Sequence, residues 1–301
     1  MAFVLNNSAQ RQLTKISQGD SILMSILQQA TLSNYKVGIR AVIAGVEKVG
    51  KTTLACSAPR VLLVPLEQGF SGVTVMHTPL LDSFSDVIAL LDEIIASVQA
   101  KTFAYQSLVF DSATALERLI HDAVVRSDPT YTKGNKKATT METALGGYGR
   151  GHTYANELFG GFLQRCDWLA TYGSINILLT CHVFAAKIID PAFGEYDSWD
   201  LLLHSPKNQK AYGKREMLTQ WADLVGFLHE PLFVSESEKT DLKRGISSNK
   251  GRILAVNRTP GYVAGNRYGV VDDIPIPKAA GWNHLAHHIY TCSGSDFYNR
   301  D

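Results

Sequence analysis

The sequence predicts an α/β fold in which helices cover a mainly parallel sheet. Three observations indicate this class. Short apolar segments alternate with segments of helical periodicity between residues 38 and 182, a glycine-rich loop joins the first apolar segment to a helix, and several apolar segments end in a polar residue. Alternating β and α elements form parallel sheets, because each helix returns the chain to the same edge. A length of 301 residues permits a large core, and a net charge of +1 excludes no class of partner.

Residues 1–36 precede the first strand and are interpreted as an N-terminal arm. Residues 22–29 have the pattern of a short amphipathic helix. Two interpretations stay open for this helix: it packs on its own core, or it docks on a neighbouring subunit. The core is predicted over residues 37–275, and residues 276–301 are a C-terminal tail with a short histidine-rich helix.

A glycine-rich loop follows the apolar strand Val37–Ala44 and matches the phosphate-loop pattern G-x-x-x-x-G-K-[S/T] at every required position. Its two glycines let backbone N–H groups and a helix N-terminus face a phosphate chain. The pattern therefore predicts a nucleoside triphosphate site, with Lys51 on the β- and γ-phosphates and the Thr52 hydroxyl on Mg²⁺. The predicted cofactor-binding residues of the loop are Gly45, Val46, Glu47, Lys48, Val49, Gly50, Lys51, Thr52 and Thr53.

The next strand, Val61–Leu66, contains a proline that indicates a strand end or an edge. Glu67 follows it and should lie at the carboxyl edge of the sheet, where ligands of open α/β sheets bind. A glutamate there can orient or deprotonate the water that attacks a phosphate. A helix over residues 86–98, capped by Ser85, is predicted next.

Two further strands end in polar residues. The strand 107–110 runs into Asp111, which is predicted to hold Mg²⁺ through water beside Thr52. The strand 175–180 leads to His182, whose neutral imidazole can hydrogen-bond a γ-phosphate. Helices are predicted around residues 115–125 and 153–172.

The remaining segments carry weaker patterns. Residues 127–140 contain a proline, a glycine and three lysines and are predicted to form a surface loop. Residues 184–215 are predicted to be irregular, with a helical stretch near their end. Strand-like segments at 223–228 and 252–256 flank a charged hairpin or loop, residues 235–250.

Taken in order, these motifs resemble the ATPase core of the RecA superfamily, and more closely the compact phage RecA-like ATP-binding proteins. That group includes single-strand annealing proteins of phage recombination. The resemblance spans roughly residues 38–275. It is carried by the phosphate loop, the glutamate after the second strand, the run Val109–Leu116, the polar residue that ends the next strand, the glycine-rich run 146–151, residues 222–226, the strand near 252 and the turn 264–269.

The resemblance implies a RecA-like core with added C-terminal strands and ATP with Mg²⁺ as cofactors. Glu67 then corresponds to the catalytic glutamate, Asp111 to the magnesium-side aspartate and His182 to the γ-phosphate sensor. Arg267 is the candidate finger that reaches the ATP of an adjacent subunit, with Arg258 as its substitute. The chain departs from close relatives at Asn266, where they often carry lysine.

The resemblance also implies that the loop after the sensor strand contacts single-stranded DNA. Cations interleaved with aromatic rings suit a strand bound without sequence preference. The candidates are Lys187, Phe193, Tyr196, Trp199, Lys207, Lys210, Tyr212, Lys214 and Arg215, and a second contact is expected from Lys133, Lys136 and Lys137.

The leading hypothesis is an oligomeric ATPase, a ring or filament with ATP at the subunit interface, that binds single-stranded DNA and promotes annealing in recombination. A single-strand-binding protein is a further expected partner. Two alternatives stay open: a P-loop kinase of a small molecule, which usually has an arginine-rich lid, and a non-catalytic nucleotide-switched binding module. Four distant cysteines, the lack of a membrane-length apolar run and the absence of a signal-peptide pattern favour the cytoplasm, without a membrane partner.

Overall fold

A computed structural model describes most of the chain. The described residues are 37–128, 140–191, 194–206, 212–237, 240–247, 251–279 and 281–300, with the backbone alone for 232–237 and 240–247. The predicted N-terminal arm lies outside them. So do five lysines proposed to contact DNA and one aromatic residue of the same set, namely Lys133, Lys136, Lys137, Lys207, Lys210 and Phe193.

The described chain alternates between strands and helices in its first half and is rich in strands in its second half. In chain order the elements are β1 Arg40–Ala44, α1 Lys51–Ala55, β2 Val61–Pro65, β3 Met76–His77, α2 Phe84–Gln99, β4 Ser107–Asp111, α3 Ala113–Ser127, α4 Arg150–Tyr172, β5 Asn176–Cys181, β6 Val183–Asp190, β7 Gly194–Leu201, α5 Lys214–Trp221, β8 Leu224–His229, β9 Leu232–Ser237, β10 Thr240–Ser247, β11 Arg252–Ala255, β12 Gly265–Asn266, β13 Ile274–Ile276 and α6 Trp282–Ser293.

One large sheet organises the core, with the strand order β13-β11-β8-β1-β5-β4-β2-β3 and β12 paired to β8. The six strands from β8 to β3 run parallel, whereas β11 and β12 pair with β8 in the antiparallel sense. The predicted α/β class, with added C-terminal strands, is therefore confirmed. Because β1 is central, the loop that follows it opens at the middle of the carboxyl edge.

Helices cover both faces of this sheet, and the side chains of β1 alternate between them. Val42 and Ala44 pack in the core cluster that includes α2, α3 and α4, while Ala41 and Ile43 pack in the cluster that includes α1 and α6. Burial on both faces explains why β1 reads as a continuous apolar run rather than an alternating one. None of the helices in the described part of the chain is long and apolar enough to cross a lipid bilayer.

The C-terminal helix α6 is part of the core that contains α1. Its first residue, Trp282, is 1% exposed. The Trp282 indole donates to the carbonyl of Phe297 at 2.6 Å, and its backbone N–H donates to Ser57 Oγ at 3.1 Å. Farther along, the Asn299 side-chain amide donates to the carbonyls of Ser57 and Ala58. The end of the chain is thus fastened to the segment that follows α1.

The structure corrects two local predictions. Ser83, not Ser85, caps α2, because the Ser83 hydroxyl accepts a bond from the backbone N–H of Asp86 at 3.2 Å and the helix begins at Phe84. The described part of residues 184–215 is not irregular, since β6 and β7 form an antiparallel hairpin of eight residue pairs. Most hairpin residues are half-buried or exposed, and the apolar residues of the two strands do not alternate regularly with polar ones, so the usual pattern of a half-buried strand is missing. The helical stretch predicted near its end is α5, and the charged hairpin is β9–β10.

Candidate active site

The phosphate loop forms a tight curl between β1 and α1. Gly50 adopts a left-handed conformation (φ 94°) that favours glycine. A side chain on Gly45 would meet the Leu228 carbonyl oxygen at 2.5 Å. The Lys51 ammonium folds back over the curl and donates to the carbonyls of Gly45 and Val46, both at 2.9 Å. Burial lowers the pKa of Lys51. The lysine is therefore held inside the concavity that the loop encloses.

A hydroxyl and a carboxylate lie side by side next to the loop. Thr52 Oγ1 donates to Asp111 Oδ2 at 2.8 Å, and the other carboxylate oxygen of Asp111 accepts a bond from the Thr180 hydroxyl of β5. Among the described residues no group of three or more acidic, histidine or cysteine side chains forms a metal cage by itself. Mg²⁺ typically takes one or two protein oxygens and completes its shell with phosphates and water. Thr52 and Asp111 fit that requirement.

Glu67 occupies the centre of a second hydrogen-bonded group at the same edge. Its Oε1 accepts from the Ser112 hydroxyl at 2.6 Å and lies 2.9 Å from His182 Nε2, while its Oε2 accepts from the Arg118 guanidinium at 2.7 Å. The bonds from His182 and Ser112, opposed by partial burial, lower the pKa of Glu67 to about 2. Glu67 is thus a carboxylate at neutral pH, with each oxygen held in a fixed direction.

These two groups are adjacent because Asp111 and Ser112 are consecutive residues. The predicted residues Lys51, Thr52, Asp111, Glu67 and His182 therefore converge at one edge of the sheet. His182 Nδ1 also lies 3.9 Å from a carboxylate oxygen of Glu47 in the phosphate loop. The arrangement can hold a phosphate chain, a divalent cation and a directed water within one site.

A buried arginine that sequence reasoning missed supports the loop from below. Arg252 of β11 is 5% exposed. Its guanidinium donates to the carbonyls of Gly50 at 2.8 Å and Val49 at 3.3 Å. It also donates to the carbonyls of Pro277 and Lys278 in the C-terminal segment. Desolvation lowers the pKa of Arg252. The only sequence signal was a charge at the start of an apolar strand, which does not identify a partner about 200 positions away.

Arg267 lies at the opposite edge of the sheet. Its backbone N–H donates to the Asp223 carbonyl, and its guanidinium pairs with the Asp223 carboxylate at 3.0 Å, at the start of β8. Asp223 also pairs with Arg40 at 2.7 Å, at the start of β1. The length of β1, roughly 15 Å, therefore separates Arg267 from the phosphate loop of its own chain. Arg258, the substitute, is exposed in the segment between β11 and β12.

Asn266 has a clear structural role. Its side-chain NH₂ donates to the carbonyls of Val256 and Val270 at 3.0 and 2.8 Å. Its side-chain oxygen accepts from the backbone N–H groups of Tyr268 and Val270, both at 3.0 Å. An asparagine with these four bonds closes the turn that presents Arg267. A lysine at this position could not do so, because its side chain has no hydrogen-bond acceptor for the two backbone N–H groups.

Two cations proposed to contact DNA are engaged within the chain instead. Lys214 has a fully buried side chain, and its ammonium lies 3.3 Å from Glu117 Oε1. Arg215 pairs with Asp200 at 2.7 Å, and its guanidinium lies over the Phe184 ring at 5.2 Å. The structure therefore contradicts a role for Lys214 at a DNA backbone and assigns Arg215 to holding α5 against the hairpin. The burial of Lys214 was not predicted because its neighbours in the sequence are mostly polar.

The other described candidates lie on the hairpin or just before α5 and are at least partly accessible. Lys187 pairs with Glu195 across the two strands at 2.8 Å, and both side chains are more than half exposed. Trp199 is 39% exposed and its backbone bonds to residues 261 and 263. Tyr212 is 64% exposed, at the start of the segment that leads into α5. The hairpin thus offers aromatic surface and one neutralised lysine.

Three histidines gather beside Lys214. The rings of His152 and His204 stack at 3.8 Å with an interplanar angle of 5°, and His121 meets His152 edge-on at 5.7 Å. Burial is the largest cause that lowers the pKa of each: His121 to about 3, His204 to about 4, and His152 in the same direction. The nearby Lys214 charge adds to each shift. The cluster joins α3, α4 and the segment before α5 with neutral imidazoles.

Comparison with known proteins adds one finding. A family model described as an AAA domain matches residues 37–268, well over half of the chain. The matched range contains the phosphate loop, Asp111, Glu67, His182 and Arg267. No curated protein matches the chain.

Proposed function

We propose that this chain, which belongs to the AAA domain family, is an enzyme that binds ATP at its phosphate loop and hydrolyses it. The observation that carries the proposal is the adjacency of two hydrogen-bonded groups, Thr52 with Asp111 and Glu67 with Ser112 and His182. The first would hold Mg²⁺ at the phosphates, and the bound cation would neutralise phosphate charge. The second supplies a fixed carboxylate for the attacking water.

The low pKa of Glu67 indicates how the site is held before reaction. A carboxylate with a pKa of about 2 orients water well but accepts a proton poorly near neutral pH. His182 has two possible partners, because the Nε2 atom that lies against Glu67 could instead donate a hydrogen bond to a γ-phosphate. If the imidazole moves to the phosphate, Glu67 loses one stabilising bond and its pKa rises. ATP would thereby make Glu67 a better base in the loaded site.

The use of this hydrolysis is proposed to be the binding and annealing of single-stranded DNA, as in the phage recombination proteins that the sequence resembles. β6 begins at the residue after His182, so a movement of His182 reaches the hairpin directly. The hairpin carries one lysine and four carboxylates, which favours base stacking on its aromatic rings over phosphate contact. Phosphate contacts are then assigned to the lysines of residues 133–137 and 207–210.

The position of Arg267 supports a proposal of oligomerisation. Since its own phosphate loop lies at the other edge of the sheet, Arg267 would act as a finger only on the ATP of a neighbouring subunit. Its side chain remains 54% exposed while paired with Asp223, which leaves it accessible to a second chain. We propose a ring or filament in which each site is completed by the next subunit.

The ATPase proposal is tested by measuring phosphate release with and without single-stranded DNA for wild type, Lys51→Ala and Glu67→Gln. Wild type should turn over faster with DNA, Lys51→Ala should neither bind nor hydrolyse ATP, and Glu67→Gln should bind without hydrolysis. Arg118→Gln is the matched control: it removes one contact of Glu67 but keeps the carboxylate, so it should still hydrolyse ATP. Phosphate transfer to a small acceptor, with no response to DNA, would favour a kinase and overturn the proposal.

The shared-site proposal is tested by mixing Arg267→Ala with Glu67→Gln subunits. Each variant alone should be inactive, and mixtures should regain activity where an intact Glu67 faces an intact Arg267. No recovery at any ratio would contradict a site completed in trans. Gel filtration of Arg267→Ala with and without ATP checks that the subunits still assemble.

A further inference from the structure

An aromatic cleft of about 600 Å³ borders the phosphate loop. One wall is the loop itself, residues 46–49. The opposite wall consists of Phe227 and His229 at the end of β8, Tyr262 from the segment before β12, and Trp199 from the hairpin. The catalytic groups described above lie on the other side of the loop, towards β4 and β5. The cleft is therefore a distinct compartment that shares a wall with the phosphate site.

The rings of the cleft form a stacked surface. Phe227 and Tyr262 lie 4.9 Å apart with an interplanar angle of 9°, and Phe227 stacks on His229 at 5.6 Å. Phe227 is buried, so it supports Tyr262 from behind, while Trp199 is 39% exposed at the rim. A planar ligand that enters the cleft meets ring faces that are already fixed. This is the environment in which nucleobases stack favourably.

Polar groups of the cleft also suit a base. His229 Nδ1 lies 3.1 Å from the Glu230 carbonyl and must donate to it, which leaves Nε2 as an acceptor in the neutral ring. That buried Nε2 has no hydrogen-bond partner among the residues whose side chains are described. An exocyclic amino group such as that of adenine is a matching donor, and it would reach Nε2 once the imidazole turned towards the cleft.

We propose that this cleft holds the base of the nucleotide whose phosphates lie in the adjoining loop, with the base stacked on Tyr262 and Trp199. The inference rests on the proposed function, since it requires a nucleotide at the loop. A DNA base is the less suitable occupant: of the described residues that line the cleft, Glu47 and Glu230 are acidic and Lys48 is the one cation. A strand would bring backbone phosphates to a surface without excess positive charge.

The occupant of the cleft would also link the nucleotide to the hairpin. Trp199 belongs to β7, and its backbone N–H and carbonyl bond to Gly261 and Val263 on either side of Tyr262. A base held between the two rings would fasten the hairpin to the nucleotide. Nucleotide release would free that contact.

The test compares binding of ADP and of inorganic tripolyphosphate by calorimetry, because the second ligand has phosphates and no base. Tyr262→Ala should weaken ADP binding by roughly 5- to 100-fold and leave tripolyphosphate binding unchanged. Tyr262→Phe, the matched control, keeps the ring and should bind ADP like wild type. Lys51→Ala should weaken both ligands, and its failure to do so would refute the phosphate site rather than the cleft.

Two results would overturn the cleft assignment while Lys51→Ala behaves as expected. The first is equal binding of ADP by wild type and Tyr262→Ala. The second is a Tyr262→Ala protein that loses affinity for single-stranded DNA alone, which would assign the cleft to a DNA base. If Tyr262→Ala does not fold, Trp199→Ala serves instead, because its ring is partly exposed. ADP should also change tryptophan fluorescence in wild type and not in Trp199→Phe.

Discussion

Acidification should destabilise this fold through the histidine cluster beside Lys214, and His121 gives the magnitude. Its pKa of about 3 compares with an ordinary value of 6.5 in the unfolded chain. At pH values between these two, the His121 imidazole is protonated in the unfolded chain and neutral in the folded chain. The free energy of unfolding therefore falls as pH falls below 6.5. From pH 6.5 to 5 this amounts to about 2 kcal/mol for one imidazole, at about 1.4 kcal/mol per pH unit. His204 acts in the same direction.

The charged groups that face the cluster modify the pKa shift that burial sets. Lys214 lies among the rings and disfavours their protonation, whereas Glu117 and Glu142 favour protonation of individual rings. Arg215 lowers the pKa of His204, and Glu216 opposes it. Burial exceeds each of these charges for all three histidines.

The assay is urea unfolding at pH values between 7 and 4.5 for wild type, His121→Gln and His284→Gln. His121→Gln should reduce the dependence of unfolding free energy on pH by about 1 kcal/mol per unit below pH 6.5. His284→Gln, which changes an exposed imidazole of α6, should retain the wild-type dependence. Identical slopes for wild type and His121→Gln, or a stability that rises on acidification, would refute the reasoning.

Three further outcomes are expected at the active site. Arg252→Leu leaves four carbonyls without their donor and should lower the unfolding free energy by about 2–4 kcal/mol in urea titrations. Arg252→Lys should recover part of this loss, and an unchanged midpoint for Arg252→Leu would contradict the role of Arg252 beneath the loop. Gly50→Ala puts a Cβ 2.1 Å from the Arg252 guanidinium at positive φ, so it should lose at least about 2 kcal/mol by the same assay, and normal stability would mean that the loop can relax. Glu67→Gln should slow hydrolysis by roughly 10²- to 10⁴-fold in phosphate-release assays with nucleotide affinity nearly unchanged, whereas a parallel loss of affinity would assign Glu67 to binding.

The convergence of the candidate site residues was predictable from the sequence, because they are either consecutive or lie at the ends of parallel strands. Residues 45–52 are one continuous motif, and Glu67, Asp111 and His182 reach the same edge whatever the order of the strands. The family match and the sheet confirm the fold class on which that argument depended. The individual roles of these residues stay predictions until they are tested.

Features that depend on distant pairing were not predictable. Arg252 finds its carbonyl partners in the phosphate loop and in the C-terminal segment, and nothing local marks either partner. The β6–β7 hairpin is held by pairing between exposed strands, which leaves no apolar periodicity. Lys214 follows aromatic and basic residues typical of a surface, and only the packing of α5 on Glu117 reveals its burial.

The packing of α6 beside α1 has a practical consequence for the design of truncated forms of this protein. The family match ends at residue 268, and a shortened chain cut there would look like a complete catalytic unit. Such a cut removes Trp282 and the rest of α6 from the core, together with the carbonyls of Pro277 and Lys278 that hold Arg252. The floor of the phosphate loop would then lose its anchorage. A minimal expression fragment must therefore extend through Asn299.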